Sequence, residues 1–215
     1  MRLIQSLMRF FFHLLYHPFA WTYDLVAWVV SLGRWQSWVQ TALPHLQGCV
    51  LEIGYGPGHL QLSMHEKGLR AYGLDESRQM AQQASRRLRR KGFSPQLSRG
   101  YAQSLPFPKN SFETVVATFP AEYIFDPETL REIQRVLVGG GKFVLVPAAW
   151  ITGNGVPDRL AAWLFRVTGQ AGVIGAVIPA MLKRLHAAGF VVRHELVELP
   201  GSRVLVMIAS KWLKR

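Results

Sequence analysis

Val50-Leu51-Glu52-Ile53-Gly54-Tyr55-Gly56-Pro57-Gly58 is the stretch on which the fold turns. A short apolar strand runs straight into a turn with glycine at every second position. Glycine lets a backbone take left-handed conformations and approach a ligand with no Cβ in the way. A strand that ends in such a loop and leads into a helix opens a nucleotide-binding α/β unit. The diphosphate fingerprint needs glycine three positions after Gly56, where His59 stands. Glu52, at the end of the strand, would repel a pyrophosphate and attract an ammonium group. These residues favour a nucleotide that carries an amino acid.

Gly73-Leu74-Asp75-Glu76 then puts a carboxylate at the end of the next strand, 21 positions after Gly54. An acid there can accept hydrogen bonds from both ribose hydroxyls. Glycine turns and strand-end acids are each common, but in this order and at this spacing they are specific. From Cys49 onward, short apolar runs alternate with helical stretches, the rhythm of a parallel sheet covered by helices. The pattern predicts strands over residues 49–53, 71–74, 96–101, 114–119, 142–146, 191–197 and 203–209. Pro200-Gly201-Ser202 joins the last two as a tight turn, so the sheet should end in an antiparallel pair. Asp126-Pro127-Glu128 opens a helix as a cap with proline in the first turn.

The whole composition agrees. Of 215 residues, 49% are hydrophobic, and 19 Gly and 12 Pro are spread along the chain, so disordered and collagen-like classes fail. One cysteine, Cys49, excludes an internal disulfide and any multi-cysteine metal site, and fits a reducing, cytoplasmic setting. The histidines lack metal-ligand spacing, so no metal is assigned. A formal charge of +12 predicts attraction to phosphate, on nucleic acid or on an anionic membrane.

Residues 1–47 read as a helical extension ahead of a domain over 48–215. Arg9, His13, Pro18 and Asp24 interrupt the apolar run before it reaches bilayer length, and no signal-peptide cleavage site follows. Arg2, Gln5, Ser6, Arg9, His13 and His17 share one helical face, with apolar residues over the rest. Such a helix lies in a membrane interface or packs over the domain's own cleft. A second helix is expected over 21–32, with Trp28, Trp35 and Trp38 as core or interface anchors.

Further motifs are Ser104-Leu105-Pro106-Phe107-Pro108, Ser111-Phe112-Glu113, Leu130-Arg131-Glu132-Ile133, Arg135-Val136-Leu137 and Gly140-Gly141. With the glycine loop and Asp75 they make residues 48–210 resemble a class I S-adenosylmethionine-dependent methyltransferase of the small-molecule type, similar to those of ubiquinone and menaquinone biosynthesis. The resemblance implies a Rossmann-like α/β fold: a seven-stranded, mostly parallel sheet with a final antiparallel strand, helices on both faces, and here an amino-terminal helical extension. It implies S-adenosylmethionine across the carboxyl ends of the first strands. The implied cofactor-binding residues are Glu52, Gly54, Tyr55, Gly56, Gly58, Asp75, Glu76, Ala102, Gln103, Thr118 and Phe119. The chain departs from the family at Tyr101-Ala102, where an Asp-Ala pair is usual and the acid holds the adenine amino group. The Gln103 carbonyl or stacking by Tyr101 could replace it. Val138-Gly139 stands for the usual Lys-Pro, read as a turn variation, and Glu113 for Asp.

Methyl transfer from a sulfonium is an in-line displacement that needs collinear, dry alignment and no obligatory base. No catalytic residue is therefore assigned. Tyr23, Glu122 and Tyr123 are acceptor-side candidates that could orient or deprotonate a hydroxyl or an acidic carbon, or simply line the rim. Ala117-Thr118-Phe119-Pro120 lacks the Asn/Asp-Pro-Pro-aromatic loop of base-amine methylation, and Cys49, at the start of a strand, is no nucleophile for carbon methylation of cytosine. Residues 151–189 form an apolar insertion where the acceptor lid belongs. With residues 1–32, it predicts a small lipophilic acceptor, such as a quinone precursor or a lipid-like molecule, met at a membrane surface. Arg86, Arg87, Arg89, Arg90 and Lys91 form the densest basic cluster, either a solvated helix face or a contact for anionic lipid, with nucleic acid less favoured. An RNA methyltransferase and a non-catalytic S-adenosylmethionine-binding protein remain as alternatives.

Overall fold

A computed structural model describes residues 31–153, 155 and 174–212. The expected helix over residues 1–17, most of that over 21–32, Tyr23, Trp28, the apolar run 160–165 and the last three residues lie outside the described ones.

Seven strands build one sheet. They are β1 (Cys49–Ile53), β2 (Arg70–Asp75), β3 (Leu97–Arg99), β4 (Phe112–Thr118), β5 (Leu137–Ile151), β6 (Phe190–Leu199) and β7 (Ser202–Lys211). Their order is β3-β2-β1-β4-β5-β7-β6. The pairs from β3 through β5 are parallel, while β7 runs antiparallel to both β5 and β6. This is the predicted Rossmann-like sheet with its antiparallel close. Chain order reverses between β1 and β4, so a crevice opens beyond their carboxyl ends.

The helices are α1 (Trp35–Gln40), α2 (His59–Glu66), α3 (Arg78–Arg90), α4 (Pro127–Val136) and α5 (Ile174–Ala187). Helix α4 starts as predicted: Asp126 Oδ1 accepts the Glu128 N–H at 2.9 Å, with proline in the first turn. All five residues of β1 are buried, as a central parallel strand covered on both faces requires. Alternation along the strands sorts the core in two. Leu51, Val115, Phe143, Leu145 and Met207 pack with Ile133 of α4 and Leu185 of α5. Val50, Val116, Val144, Val206 and Ile208 pack with Trp38 of α1 and Leu60 and Met64 of α2. Trp38 also donates its indole N–H to Ser202 Oγ at 2.9 Å, so α1 is fastened to β7.

The strand boundaries differ where backbone chemistry, not hydrophobicity, decides them. Strand β5 begins at Leu137 rather than 142: Leu137 pairs with Phe112, and the register shifts across Val138 and the three glycines before Lys142 pairs with Thr114, so the first part of the strand carries no apolar run. It also continues past Pro147, which cannot donate to a ladder and sits where the register with β7 shifts, between Leu145 and Ala148. Val138-Gly139, read as a turn, is thus part of a strand. Strand β4 stops at Thr118, since Phe119 has φ +47° and leaves the extended region. Glu113, the residue that stands for the family's Asp, accepts the Cys49 N–H at 2.7 Å and so ties the entry of β1 to β4.

Candidate active site

The glycine loop begins where β1 ends. Gly54 has φ +72°, and its N–H donates to the Leu74 carbonyl at 2.7 Å, locking the loop to the end of β2. A Cβ on Gly54 would stand 2.5 Å from the Tyr123 hydroxyl, so that position needs glycine for space as well as conformation. At Gly58, with φ +83°, a Cβ would meet Ala84 Cβ at 2.7 Å, because the turn lies directly on α3. Gly56 faces open space. The Arg87 guanidinium of α3 donates to the Pro57 carbonyl and holds the loop from behind.

Asp75 closes β2 facing this loop. Its Oδ2 accepts the Gly56 N–H at 2.9 Å and its Oδ1 the Ser77 N–H at 2.8 Å. Each oxygen keeps a second lone pair, which leaves room for two ligand hydroxyls. Burial pushes its pKa up, and the two N–H donors oppose that. Glu76 is exposed, with its backbone carbonyl held by Arg99.

Glu52 is buried under the loop at 1% exposure. Burial pushes its carboxyl up to about 8; a hydrogen bond from Gln61 opposes the shift and the nearby Asp75 adds to it. Its Oε2 has no hydrogen-bond partner among the described residues. Gln61, which also donates to the Tyr72 carbonyl at 3.0 Å, escaped the sequence reading because a glutamine on a helix carries no motif. A buried carboxylate with spare acceptor capacity is what a ligand ammonium would satisfy. By this test the residues present fit an amino-acid-bearing nucleoside.

The remaining candidates divide. Tyr55 turns its ring inward: a Cβ on Gly73 would stand 2.6 Å from Tyr55 Cδ1, and the buried hydroxyl has no partner among the described residues. Burial raises its phenol pKa. Only its backbone belongs to the loop. Ala102 is buried and Gln103 half-buried after β3, while Tyr101 is 66% exposed. Thr118 lies half-buried at the end of β4. The Phe119 ring packs against Trp35 at 4.6 Å and Trp38 at 6.1 Å between centroids, so α1 holds that ring in place. Glu122 and Tyr123 start a 3-10 turn (Glu122–Phe125) after β4; Tyr123 reaches Gly54, and Glu122 is exposed.

The second half of the motif set is a clamp. Arg135 grips Glu132 through Nε at 2.6 Å and Nη2 at 2.7 Å. It also donates to the Leu105 and Phe107 carbonyls at 2.9 and 2.7 Å, and Glu132 accepts the Leu105 N–H at 2.8 Å. The loop carrying Ala102 and Gln103 is thereby pinned to α4. The Glu132/Arg135 spacing was the available signal, since residues three apart on a helix face one way.

Residues 51–145 match the family described as a methyltransferase domain. The chain is 30% identical over 145 residues to a demethylmenaquinone methyltransferase of Symbiobacterium thermophilum, covering 63% of this chain and 58% of that one. It is 35% identical over 102 residues to a phosphatidylethanolamine N-methyltransferase of Cereibacter sphaeroides, covering 46% and 50%. The chain spans about half the length of the curated relatives it matches. Its fold is similar to the crystal structure of a protein described as an S-adenosyl-L-methionine-dependent methyltransferase of Methanococcus maripaludis, with a TM-score of 0.66, 15% identity, and 91% and 93% of the two chains covered.

Proposed function

We propose, for a chain whose residues 51–145 match the methyltransferase-domain family, that it transfers a methyl group from S-adenosylmethionine to a small lipophilic acceptor met at a membrane surface. The observation that carries this reading is the site at the β1/β4 reversal. A glycine loop with one open face, a strand-end Asp75 and a buried Glu52 with an unpartnered oxygen stand together there.

S-adenosylmethionine supplies an electrophilic methyl on a sulfonium. The protein's own part is alignment and exclusion of water. The loop backbone admits the methionine portion beside Gly54 and Gly56, and Glu52 faces its ammonium. Asp75 accepts the ribose hydroxyls, and the clamped loop at Ala102 and Gln103 borders the adenine. Tyr123 stands over Gly54 on the side from which an acceptor approaches, where its hydroxyl orients the incoming nucleophile.

The lipophilic acceptor is supported by the apolar character of residues 1–32 and 151–189. The names of the relatives agree, one referring to a menaquinone precursor and the other to a phospholipid. Among the described residues, no helix is long and apolar enough to cross a membrane. Titration calorimetry with S-adenosylmethionine and S-adenosylhomocysteine tests the cofactor; sub-millimolar binding of both is expected, and none would remove the enzyme reading. Incubation of cell extract with methyl-labelled cofactor tests the acceptor. Label in the lipid extract supports this reading, and label confined to RNA would replace it with RNA methylation.

A further inference from the structure

On the opposite side of α3 from the glycine loop lies a shallow cavity of about 400 Å³, closed by the end of β3. Arg78, Arg86 and Arg89 of the helix line it together with Arg99 of the strand, over the small side chains of Ala81 and Ser85. No acidic residue lines it. All four arginines are exposed. Among the described residues no carboxylate pairs with Arg78, Arg86 or Arg89, and Arg99 is engaged only with the Glu76 backbone carbonyl.

A solvated, dipole-favoured helix end explains only part of this. Cations near a helix carboxyl terminus are favoured, which accounts for Arg89 and Arg90. Arg78 is the first residue of α3, where the dipole opposes a cation. Arg86 and Arg89 stand three apart and repel each other with no acid between them. Arg99 arrives from another element altogether. Convergence on one concavity of guanidinium groups from helix and strand that face no carboxylate is relieved by an anion. Their planar donor forks suit phosphate oxygens.

We propose that this groove is a headgroup-phosphate site by which the protein docks on an anionic phospholipid surface, an inference that rests on the reading of a lipophilic acceptor. The lining has no aromatic side chain on which a base could stack, which sets it apart from single-stranded RNA channels. The formal charge of +12 adds long-range attraction to the same surface.

The test is co-sedimentation of the full chain with vesicles of phosphatidylcholine alone or mixed equally with phosphatidylglycerol. Binding should require phosphatidylglycerol. The double variant Arg86→Glu, Arg89→Glu should lower partitioning by at least about tenfold. The charge-matched pair Lys183→Glu, Arg193→Glu, on exposed positions of α5 and β6, should lower it by less than about threefold. Equal losses in the two variants would assign binding to net charge and overturn the groove, as would equal binding to neutral vesicles. Loss of single-stranded RNA binding with vesicle binding unchanged would overturn it in favour of nucleic acid. Calorimetry with S-adenosylmethionine on the groove variant should match the wild type. Failure of the wild type to bind cofactor would instead sink the enzyme reading and leave the vesicle result standing on its own.

Discussion

Two carboxylates at the site answer to different forces. Asp75 is tied by two backbone N–H groups at 2.8 and 2.9 Å, so it is positioned before any ligand arrives. Replacing it with Ala should weaken S-adenosylmethionine binding by about 1–3 kcal/mol, the scale of hydrogen bonds to a charged group. Calorimetry reads this directly, and an unchanged dissociation constant would put the ribose elsewhere. Glu52 is ruled by burial, and its raised value means that the folded protein holds a proton the unfolded chain has released. Its contribution to stability is therefore complete below about pH 4.5 and is lost as pH rises to about 8, at up to about 1.4 kcal/mol per unit. Denaturant titrations across that window should show the fall, and Glu52→Gln should flatten it. A bound ammonium reverses the preference. Cofactor affinity should then climb with pH up to about 8 in the wild type and lose that climb in Glu52→Gln; parallel profiles would separate Glu52 from the ligand.

The Arg135 clamp shows how a helix can serve a site it does not line. It joins α4 to the loop after β3 through two donor contacts, to the Leu105 and Phe107 carbonyls, while two more hold Glu132 of the same helix. Both members of the ion pair are partly exposed, so the pair is screened, and the backbone carbonyls matter more than the Coulomb attraction. Arg135→Ala should lower stability by about 1–2 kcal/mol. Cofactor affinity should fall further than in Arg131→Ala, whose ion pair with Glu128 is surface-exposed. Equal cofactor affinity in the two variants, measured by calorimetry, would make the clamp purely structural. The motifs that carried the family resemblance are thus of two kinds. Those at the ends of β1 and β2 face the site, while those at Leu105 and Arg135 keep a neighbouring loop in place.

Across the molecule, α1 belongs with the sheet. Trp38 is 3% exposed, packs with Val50, Val116 and Val144, and bonds Ser202 across 164 positions of sequence. Trp38→Phe keeps most of the ring packing and strands the Ser202 hydroxyl, at a cost of about 1–3 kcal/mol. For a chain of this size that corresponds to roughly 2–4 °C per kcal/mol in a thermal melt; an unchanged midpoint would show that the hydroxyl finds another partner. The amino acid order by itself determined the elements that rest on local chemistry. Apolar runs marked β1, glycine spacing marked the loop, Asp126-Pro127 capped α4, and Pro200-Gly201-Ser202 turned β6 back on β7. It also marked Glu52 and Asp75, since acids at strand ends are visible in one dimension. Tertiary structure decided what depends on neighbours from distant sequence. It turned the Tyr55 ring inward over Gly73 and gave the Phe119 face to Trp35. It brought the Tyr123 hydroxyl to Gly54 and set Arg99 beside the arginines of α3. Local signals specify backbone conformation because turns and strands are made by adjacent residues. Which side chain faces the crevice is settled only when separate elements compete for the same space.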